Sequence, residues 1–428
     1  AMAQLGYKES LYLDVTARND WSSTLAFTER KSRGFFYPSV GLSWIIPKSF
    51  SMPSLISFGK VRASWSKVGN DIPLFVSNTV GHIAAGGIPQ PNDTAPFGTL
   101  KPEMSSSFEI GTEWKFFDYR MDVDLTFYKT NTKNQLFSLP SSAGAAYKYY
   151  FVNAGNIQNM GVELTFGAVP ILTNQFKWNT TLNFSRNKNE VKKLHDDLAS
   201  FIQGDEGFSS SYTMRLVEGG SFGDIYGKAF ERDKYGAIVY GRDGLPQEIG
   251  SGNTAKVGNC NPAFLLGWGN SFTYKDFSFY FLIDGHFGGD VLAQTQAVLD
   301  QTGVSKVSGE ARTMGYVDLE GYHIYNIKGF YEQVGGRNGV TEYYMYDATN
   351  IRLRELSLGY TLPKRLLGRK QFLKKAELSF VARNLFFIYK KAPFDPDAVL
   401  SASNSNQGID IFGIPTTRSV GFNVKLSF

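Results

Sequence analysis

Apolar and polar residues alternate with a period of two along most of this chain. From Arg418 to Phe428, Val420, Phe422, Val424, Leu426 and Phe428 take every second position, and Ser419, Gly421, Asn423, Lys425 and Ser427 fill the gaps. Successive side chains of a strand point to opposite faces, so this stretch has one apolar and one polar face. An apolar face ending on Phe suits the closing strand of a membrane-spanning barrel, whose lipid and lumen faces alternate in this way.

The same pattern recurs upstream. Leu11, Leu13, Val15 and Ala17 oppose Tyr12, Asp14, Thr16 and Arg18; Val40, Leu42 and Trp44 oppose Gly41 and Ser43; Val61, Ala63 and Trp65 oppose Arg62, Ser64 and Ser66. Phe108, Ile110 and Trp114 alternate with Glu109, Gly111 and Glu113, and Met121, Val123, Leu125 and Phe127 with Asp122, Asp124, Thr126 and Tyr128. Further strands are predicted around Val162–Phe166, Phe176–Phe184, Phe264–Tyr274, Phe277–Ile283 and Leu378–Ala382. Near Arg354–Glu355 the apolar positions move from odd (Ile351, Leu353) to even (Leu356, Leu358, Tyr360), which predicts a β-bulge. Charged residues recur on the polar face, which a dry core would not tolerate unpaired and a wet lumen would.

Short connections (Phe117–Tyr119, Val169–Asn174, Lys275–Asp276, Pro363–Lys375) alternate with long ones (Asn19–Phe35, Asn70–Glu103, Gln135–Asn156, Lys188–Pro262, Phe287–Asn350, Tyr389–Thr416). Short turns on one side and long loops on the other are the signature of an antiparallel transmembrane β-barrel. Counting gives about 12 strands, an even number, with both chain ends on the short-turn side. Aromatic residues near strand ends (Trp44, Trp65, Trp114, Phe116, Phe117, Trp178, Trp268, Tyr360) suit interfacial girdles.

Composition narrows the reading. The 428 residues are 15% aromatic and 19% charged, with 44 Gly and a single cysteine, Cys260. No apolar run reaches the ~18 residues of a spanning helix, so a membrane protein of this composition crosses as a barrel. A lone cysteine forms no internal disulfide and reads as a structural thiol. A net charge of +5 is too weak to argue for nucleic acid. Ala1–Tyr7 has neither the basic region nor the apolar core of a signal peptide, so either the signal belongs to a larger N-terminal part or the protein is not an exported barrel.

Catalytic chemistry is not visible. His82, His195, His286 and His323 lie far apart without ligand spacing, and no HExxH, Walker A or GxSxG motif occurs. Gly219–Gly223 reads as a turn, and Asp233–Asp243 lacks the alternating oxygen ligands of a calcium loop. Asn92–Thr94 and Asn179–Thr181 fit the glycosylation pattern only formally. No catalytic residue, metal or cofactor is predicted. The long loops hold the binding candidates: Tyr147, Tyr149, Tyr150, Tyr325, Tyr343, Tyr344, Asn404 and Asn406. Aromatic faces and amide groups suit the apolar faces and hydroxyl edges of sugars; packing of the loops is the alternative role.

About ten local signatures, in order, resemble the barrel of SusC-type TonB-dependent outer-membrane transporters of Bacteroidota. They include Val15–Asp20 (VTARND), Lys60–Asp71 (KVRASWSKVGND), Leu100–Trp114, Asn153–Glu163, Gly258–Phe264 (GNCNPAF), Asp347–Pro363 (DATNIRLRELSLGYTLP), Ala382–Leu385 (ARNL), Asp395–Asp397 (DPD) and Pro415–Phe428. The resemblance spans the whole chain. It implies an all-β protein, residues 1–428 being the C-terminal portion of a barrel of about 22 strands, with the plug domain and the N-terminal strands lying outside this sequence. It also implies nutrient import of oligosaccharides or peptides, a SusD-type surface lipoprotein as lid, TonB acting through the N-terminal part, outer-membrane lipid around the wall, and no enzyme activity. Phe422, Val424, Leu426 and Phe428 would then belong to the strand that closes the barrel and carries the insertion signal. The alternative from the residues alone is an autonomous porin or barrel enzyme of about 12 strands, or a soluble β-rich binding module.

Overall fold

The alternating stretches are strands, and hydrogen bonds join them in chain order into a sheet of thirteen. In order they are β1 (Met2–Tyr7), β2 (Leu11–Trp21), β3 (Gly34–Ile45), β4 (Ile56–Asn70), β5 (Glu103–Phe116), β6 (Met121–Pro140), β7 (Tyr149–Leu172), β8 (Phe176–Lys193), β9 (Phe264–Tyr274), β10 (Phe277–Phe287), β11 (Asn350–Thr361), β12 (Lys375–Lys390) and β13 (Ser419–Ser427). The computed structural model describes the chain apart from residues 28–33, 75, 78–79, 91, 96–99, 141–143, 195–198, 204–209, 253, 364–365, 368–372 and 401–405.

Thirteen strands are one more than the alternation predicts. The additional strand is β1, which pairs with β2 from Met2↔Thr16 to Tyr7↔Leu11. It reverses at the 8–10 turn and runs back toward the long-loop side, Met2 lying level with Thr16 midway along β2. The expectation of an even count, with both chain ends on the short-turn side, is therefore corrected. The signal for β1 is weak but present: Ala3, Leu5 and Tyr7 alternate with Gln4 and Gly6. Connections at 8–10, 46–55, 117–120, 173–175, 275–276 and 362–374 alternate with the others along the chain, but the two classes overlap in length, 141–148 being shorter than 46–55 and 362–374. The loop expected over Gln135–Asn156 shrinks to residues 141–148, because β6 continues to Pro140 and β7 begins at Tyr149.

The predicted bulge is where the pattern slips. In the β10–β11 ladder Glu355 faces Leu282 and Leu353 faces Ile283, which leaves Arg354 as the unpaired extra residue. The β11–β12 register shifts at the same place. One inserted residue returns Leu356 and Leu358 to the face of Ile351 and Leu353.

The chain divides into two compact units. One comprises Ala1–Gly167, Asn187–Ser200 and Val217–Gly219; the other comprises Ala168–Arg186, Phe201–Leu216 and Gly220–Phe428. In the first, Val15, Val40, Trp65 and Phe108 form one row across neighbouring strands, and Leu13, Leu42, Ala63, Ile110 and Phe127 form the next. Val15, Val40, Trp65, Phe108, Leu42, Ile110 and Phe127 are all exposed. Its buried core lies instead among the loops, where Leu25, Phe35, Ile72, Val76 and Leu100 cluster. Asp71 anchors that cluster by accepting from Ser22 and from Thr24, the latter at 2.6 Å.

The second unit repeats the arrangement. Trp178, Phe272, Phe279, Leu358, Phe380 and Phe422 form a continuous row across its strands. Phe422 is 85% exposed, and Val424, Leu426 and Phe428 are exposed beside it. A contiguous exposed apolar face of this extent is what a bilayer, and not water, covers. Described parts of 210–216, 220–263 and 288–349 fold with part of 391–418 into a cluster with its own core, which includes Tyr212, Met214, Ile225, Phe230, Leu292, Phe330, Val334, Tyr344 and Ile409. Three helices contribute: α1 (Gln294–Gln301), α2 (Lys306–Met314) and α3 (Ile327–Val334). Ser305 caps α2 by accepting from the Ser308 amide, and Asn326 caps α3 through the Gly329 amide. No helix among the described residues is long and apolar enough to cross a membrane.

Candidate functional site

The strand faces opposite the apolar rows carry charge, and much of it is paired. In the first unit Arg62 on β4 reaches across β5 to β6, donating to both carboxylate oxygens of Asp124 at 3.1 and 2.6 Å and to Thr126 at 2.6 Å. Thr16 and Ser39 share a hydroxyl hydrogen bond of 2.6 Å on the same kind of face. Such half-exposed pairs sit comfortably in a hydrated lumen and hold neighbouring strands in register.

In the second unit, signatures far apart in sequence converge on one ionic network. Arg352 is 1% exposed. Its Nη2 donates to Asp395 at 2.8 Å and Asp397 at 3.0 Å, its Nη1 donates to Thr416 at 3.3 Å, and its guanidinium lies 4.1 Å from the Phe387 ring centroid. Thr416 also donates to Asp395. The bulged Arg354 donates to Asp284 and, at 3.0 Å, to Asn384, and reaches Asp397 at 3.3 Å. Burial raises the proton affinity of Asp395, but hydrogen bonds from Thr416 and the Asp397 amide, with the charge of Arg352, outweigh it and hold the carboxyl below its ordinary range. The bulge therefore does more than restore the apolar face: it aims Arg354 at the DPD loop. The stretches IRLREL, ARNL, DPD and PTTR are the parts of one anchor that ties connection 391–418 to the polar face of β10, β11 and β12.

A second junction gathers the GNCNPAF stretch. Asn259 and Asn261 donate to Ser221 at 2.7 and 3.1 Å, and Asn259 donates to Asp224 at 2.5 Å. Asp224 also pairs with Lys256 at 2.8 Å, its own side chain fully buried. The Gly219–Gly223 turn is thus a structural turn, held from below. Burial pushes the Cys260 thiol up to about 11, which leaves it protonated and inert at neutral pH.

The predicted binding residues separate into groups. Tyr147 and Tyr149 are exposed, and Tyr149 is fixed by backbone bonds to Asp93 and Ala95 at 3.0 and 2.8 Å. Tyr150 is half-buried beside them. Tyr325 is 74% exposed on the loop cluster. Tyr344 is a core residue, which corrects the expectation that it is open to substrate, and Tyr343 packs half-buried against that core. Tyr344 is 1% exposed and donates to Asp300 at 3.1 Å; Tyr343 packs edge-on against Phe330 and Tyr344 at 5.2 and 4.9 Å. Burial raises both phenols far above their usual range. The loop sequence alone does not show this, because burial of an aromatic side chain depends on which distant segments fold over it. Asn406 accepts from the Tyr212 hydroxyl at 3.1 Å, and Asn404 lies outside the described residues.

An aromatic surface that the loop aromatics only partly predict surrounds Tyr325. Val317–Leu319 and Tyr322–Ile324 form a hairpin whose Glu320–Gly321 turn has φ of 53° and 87°. It stacks Tyr322 on Tyr240 at 3.9 Å and His323 on Tyr316 at 4.0 Å, with Tyr316 edge-on to Tyr325 at 6.4 Å. Arg232 braces this region through Glu320 at 2.7 Å and Glu342 at 2.9 Å. The readable signal is the alternating VDLEGYHI around a two-residue turn containing Gly.

Asp300 gives a test of the loop cluster's packing. Burial pushes its carboxyl above the ordinary range against hydrogen bonds from Ser305, Gln296 and Tyr344. A group with a raised folded-state pKa contributes stability that is fully present below its unfolded pKa and lost as pH rises through the folded value. Asp300→Asn keeps an acceptor for Tyr344 and cannot ionise. It is expected to raise the melting temperature of the loop cluster by a few degrees near neutral pH and to have little effect at about pH 3. Differential scanning calorimetry at the two pH values reads the difference.

Comparisons with known proteins agree with this architecture. The family described as TonB dependent receptor-like, beta-barrel, matches residues 1–385. The TonB-dependent receptor P3 of Formosa agariphila is 27% identical over 98% of this chain and 44% of its own length. TonB-dependent receptor SusC of Bacteroides thetaiotaomicron is 22% identical over 95% of this chain and 41% of its own. The solved RagAB peptide importer in its closed-closed state shares the fold at a TM-score of 0.77, with 18% identity over 99% of this chain and 47% of that one. The chain thus spans less than half the length of these relatives. The family is one of receptors and transporters rather than enzymes. The chain belongs to the TonB dependent receptor-like β-barrel family, whose members reside in the outer membrane.

Proposed function

We propose that this chain is the C-terminal wall and loop portion of an outer-membrane importer that takes up oligosaccharides or peptides with energy relayed by TonB. The observation that carries the reading is the division of labour within the sheet: exposed apolar rows on one face, paired charges on the other, and long connections that fold into a cluster instead of a catalytic constellation. The plug, the TonB contact and the remaining strands belong to the part of the relatives that this chain does not span. A SusD-type surface lipoprotein is the proposed lid over the long loops. Tyr147 and Tyr149 in the first unit and, separately, Tyr325 with the stacked Tyr240 and Tyr322 in the second are the proposed substrate-facing aromatics. The autonomous porin or enzyme of about 12 strands is not favoured, because the relatives are receptors more than twice as long.

The test uses the intact protein in its own outer membrane. Uptake of labelled oligosaccharide and peptide pools is measured before and after a protonophore collapses the inner-membrane gradient. Energy-dependent uptake of one pool, with co-purification of a surface lipoprotein, is expected. Uptake that continues unchanged without the gradient, or hydrolysis of the label by the purified protein, would overturn the reading.

A further inference from the structure

The apolar face of the second unit is not uniform. At the short-turn end of β9, β10, β11 and β12 it holds a groove of about 380 Å³, within the range of small-molecule sites. Phe272 and Tyr274, Phe277 and Phe279, Leu358 and Tyr360, and Leu378 line it. Its two walls are successive rows of the ladder: Tyr274, Phe277, Tyr360 and Leu378 toward the turn, and Phe272, Phe279 and Leu358 one step further in. The floor is backbone at Ser278 and Gly359, whose side-chain positions lie on the opposite, polar face. Phe277 and Tyr360 are in ring contact at 4.8 Å, which fixes the rim.

The charge at this end is lopsided. Lys275, in the β9–β10 turn, places its ammonium 5.3 Å from the Tyr274 ring centroid. Lys374 precedes β12 at the same end, whereas Lys375, Glu377 and Lys425 lie on the opposite, polar face, where Glu377 pairs with Lys375 at 3.0 Å. On the side of the groove Lys275 and Lys374 stand against Asp276. The groove is thus apolar along its length, aromatic at its rim and positively charged beyond it.

We propose that this groove retains one phospholipid of the inner leaflet, an acyl chain lying between the two rows and an anionic headgroup phosphate meeting Lys275. The assignment rests on the outer-membrane reading, in which short turns face the periplasm. Acyl methylenes match the apolar walls. A cation beside the interface attracts anionic headgroups by an amount equivalent to about fivefold in affinity. The groove lets side chains of the two rows contact an acyl chain from both sides.

The test is native mass spectrometry of the intact protein, extracted in detergent, stripped progressively and then titrated with phosphatidylglycerol or phosphatidylethanolamine vesicles. The wild type is expected to keep one phospholipid after the rest has been removed. Leu358→Trp, which fills the groove from a lipid-facing position, is expected to lower that retention at least tenfold. Lys275→Gln, which removes one charge at an exposed turn, is expected to weaken phosphatidylglycerol about fivefold and leave phosphatidylethanolamine nearly unchanged. Heat-modifiable gel mobility confirms that each variant is folded. Equal retention by the wild type and Leu358→Trp overturns the proposal, as does a retained lipopolysaccharide, or a second copy of the protein captured by a photoreactive residue placed at position 277. Retention is read without transport, so a protein that imports but keeps no lipid refutes the groove and leaves the importer reading intact.

Discussion

Replacing Arg352 with alanine is expected to destabilise the region around connection 391–418 by about 3–5 kcal/mol, the cost of leaving a buried charge without its partner. Asp395 is 8% exposed and relies on the guanidinium and Thr416 for neutralisation. Removing the guanidinium also opens space against Phe387 and releases Asp397, which Arg354 holds only at 3.3 Å. The expected readout is faster proteolytic nicking within residues 391–416 and a lower unfolding temperature, while the lipid-facing strands keep their heat-modifiable mobility. Arg352→Lys should recover little, because an ammonium cannot serve two carboxylates and a hydroxyl in one plane while stacking on an aromatic ring. Asp395→Asn should cost less than Arg352→Ala, and the double variant should cost less than the sum, as expected when two groups belong to one network. An Arg352→Ala protein that resists protease as well as the wild type would show that the anchor is ornamental.

Ile110→Arg is expected to have the second-largest effect, about 2–4 kcal/mol against folding into a bilayer. Ile110 is 44% exposed and lies in register with Ala63 and Phe127 on the apolar face of β5. In lipid that exposure carries no cost, and a guanidinium there must be dragged toward the interface. Its sequence neighbour Glu109 points to the other face, in register with Ser64 and Tyr128. Glu109→Gln is therefore expected to stay within about 0.5 kcal/mol of the wild type. Folding of the intact protein into phospholipid vesicles at graded urea concentrations measures both. The two positions are neighbours in the chain, so a large cost for the first with almost none for the second supports the lipid-facing assignment of Ile110. Equal costs would mean that β5 does not separate lipid from lumen.

Much of this architecture is legible from local pattern, and the limits are physical. The bulge at Arg354 is readable because one inserted residue switches the parity of every apolar position after it. The strand Met2–Tyr7 is nearly illegible, because its alternation rests on Ala3, Leu5 and Tyr7 against Gln4 and Gly6, with no charge on the polar face. The loop aromatics divide in a way that composition does not reveal. Tyr325 and Tyr344 sit in similar tyrosine-rich sequence, yet one is 74% and the other 1% exposed. The difference arises from α1, whose Asp300 receives the Tyr344 hydroxyl, 44 residues away in sequence.

By itself, the sequence determined the strand faces, the alternation of the connections, and so the membrane-spanning class. These follow from the two-residue period of an extended backbone, which each strand expresses without reference to its partners. Only the tertiary structure decided which signatures meet. Arg352, Asp395, Asp397 and Thr416 are distant in sequence and carry no mutual spacing rule, and they became one anchor because the ladder of β10, β11 and β12 brings their segments to a common face. The terminal Phe422, Val424 and Leu426 illustrate both halves. Their outward direction is local, whereas their neighbours Phe380, Leu378 and Ala376 are set by a register that β12 and β13 choose together.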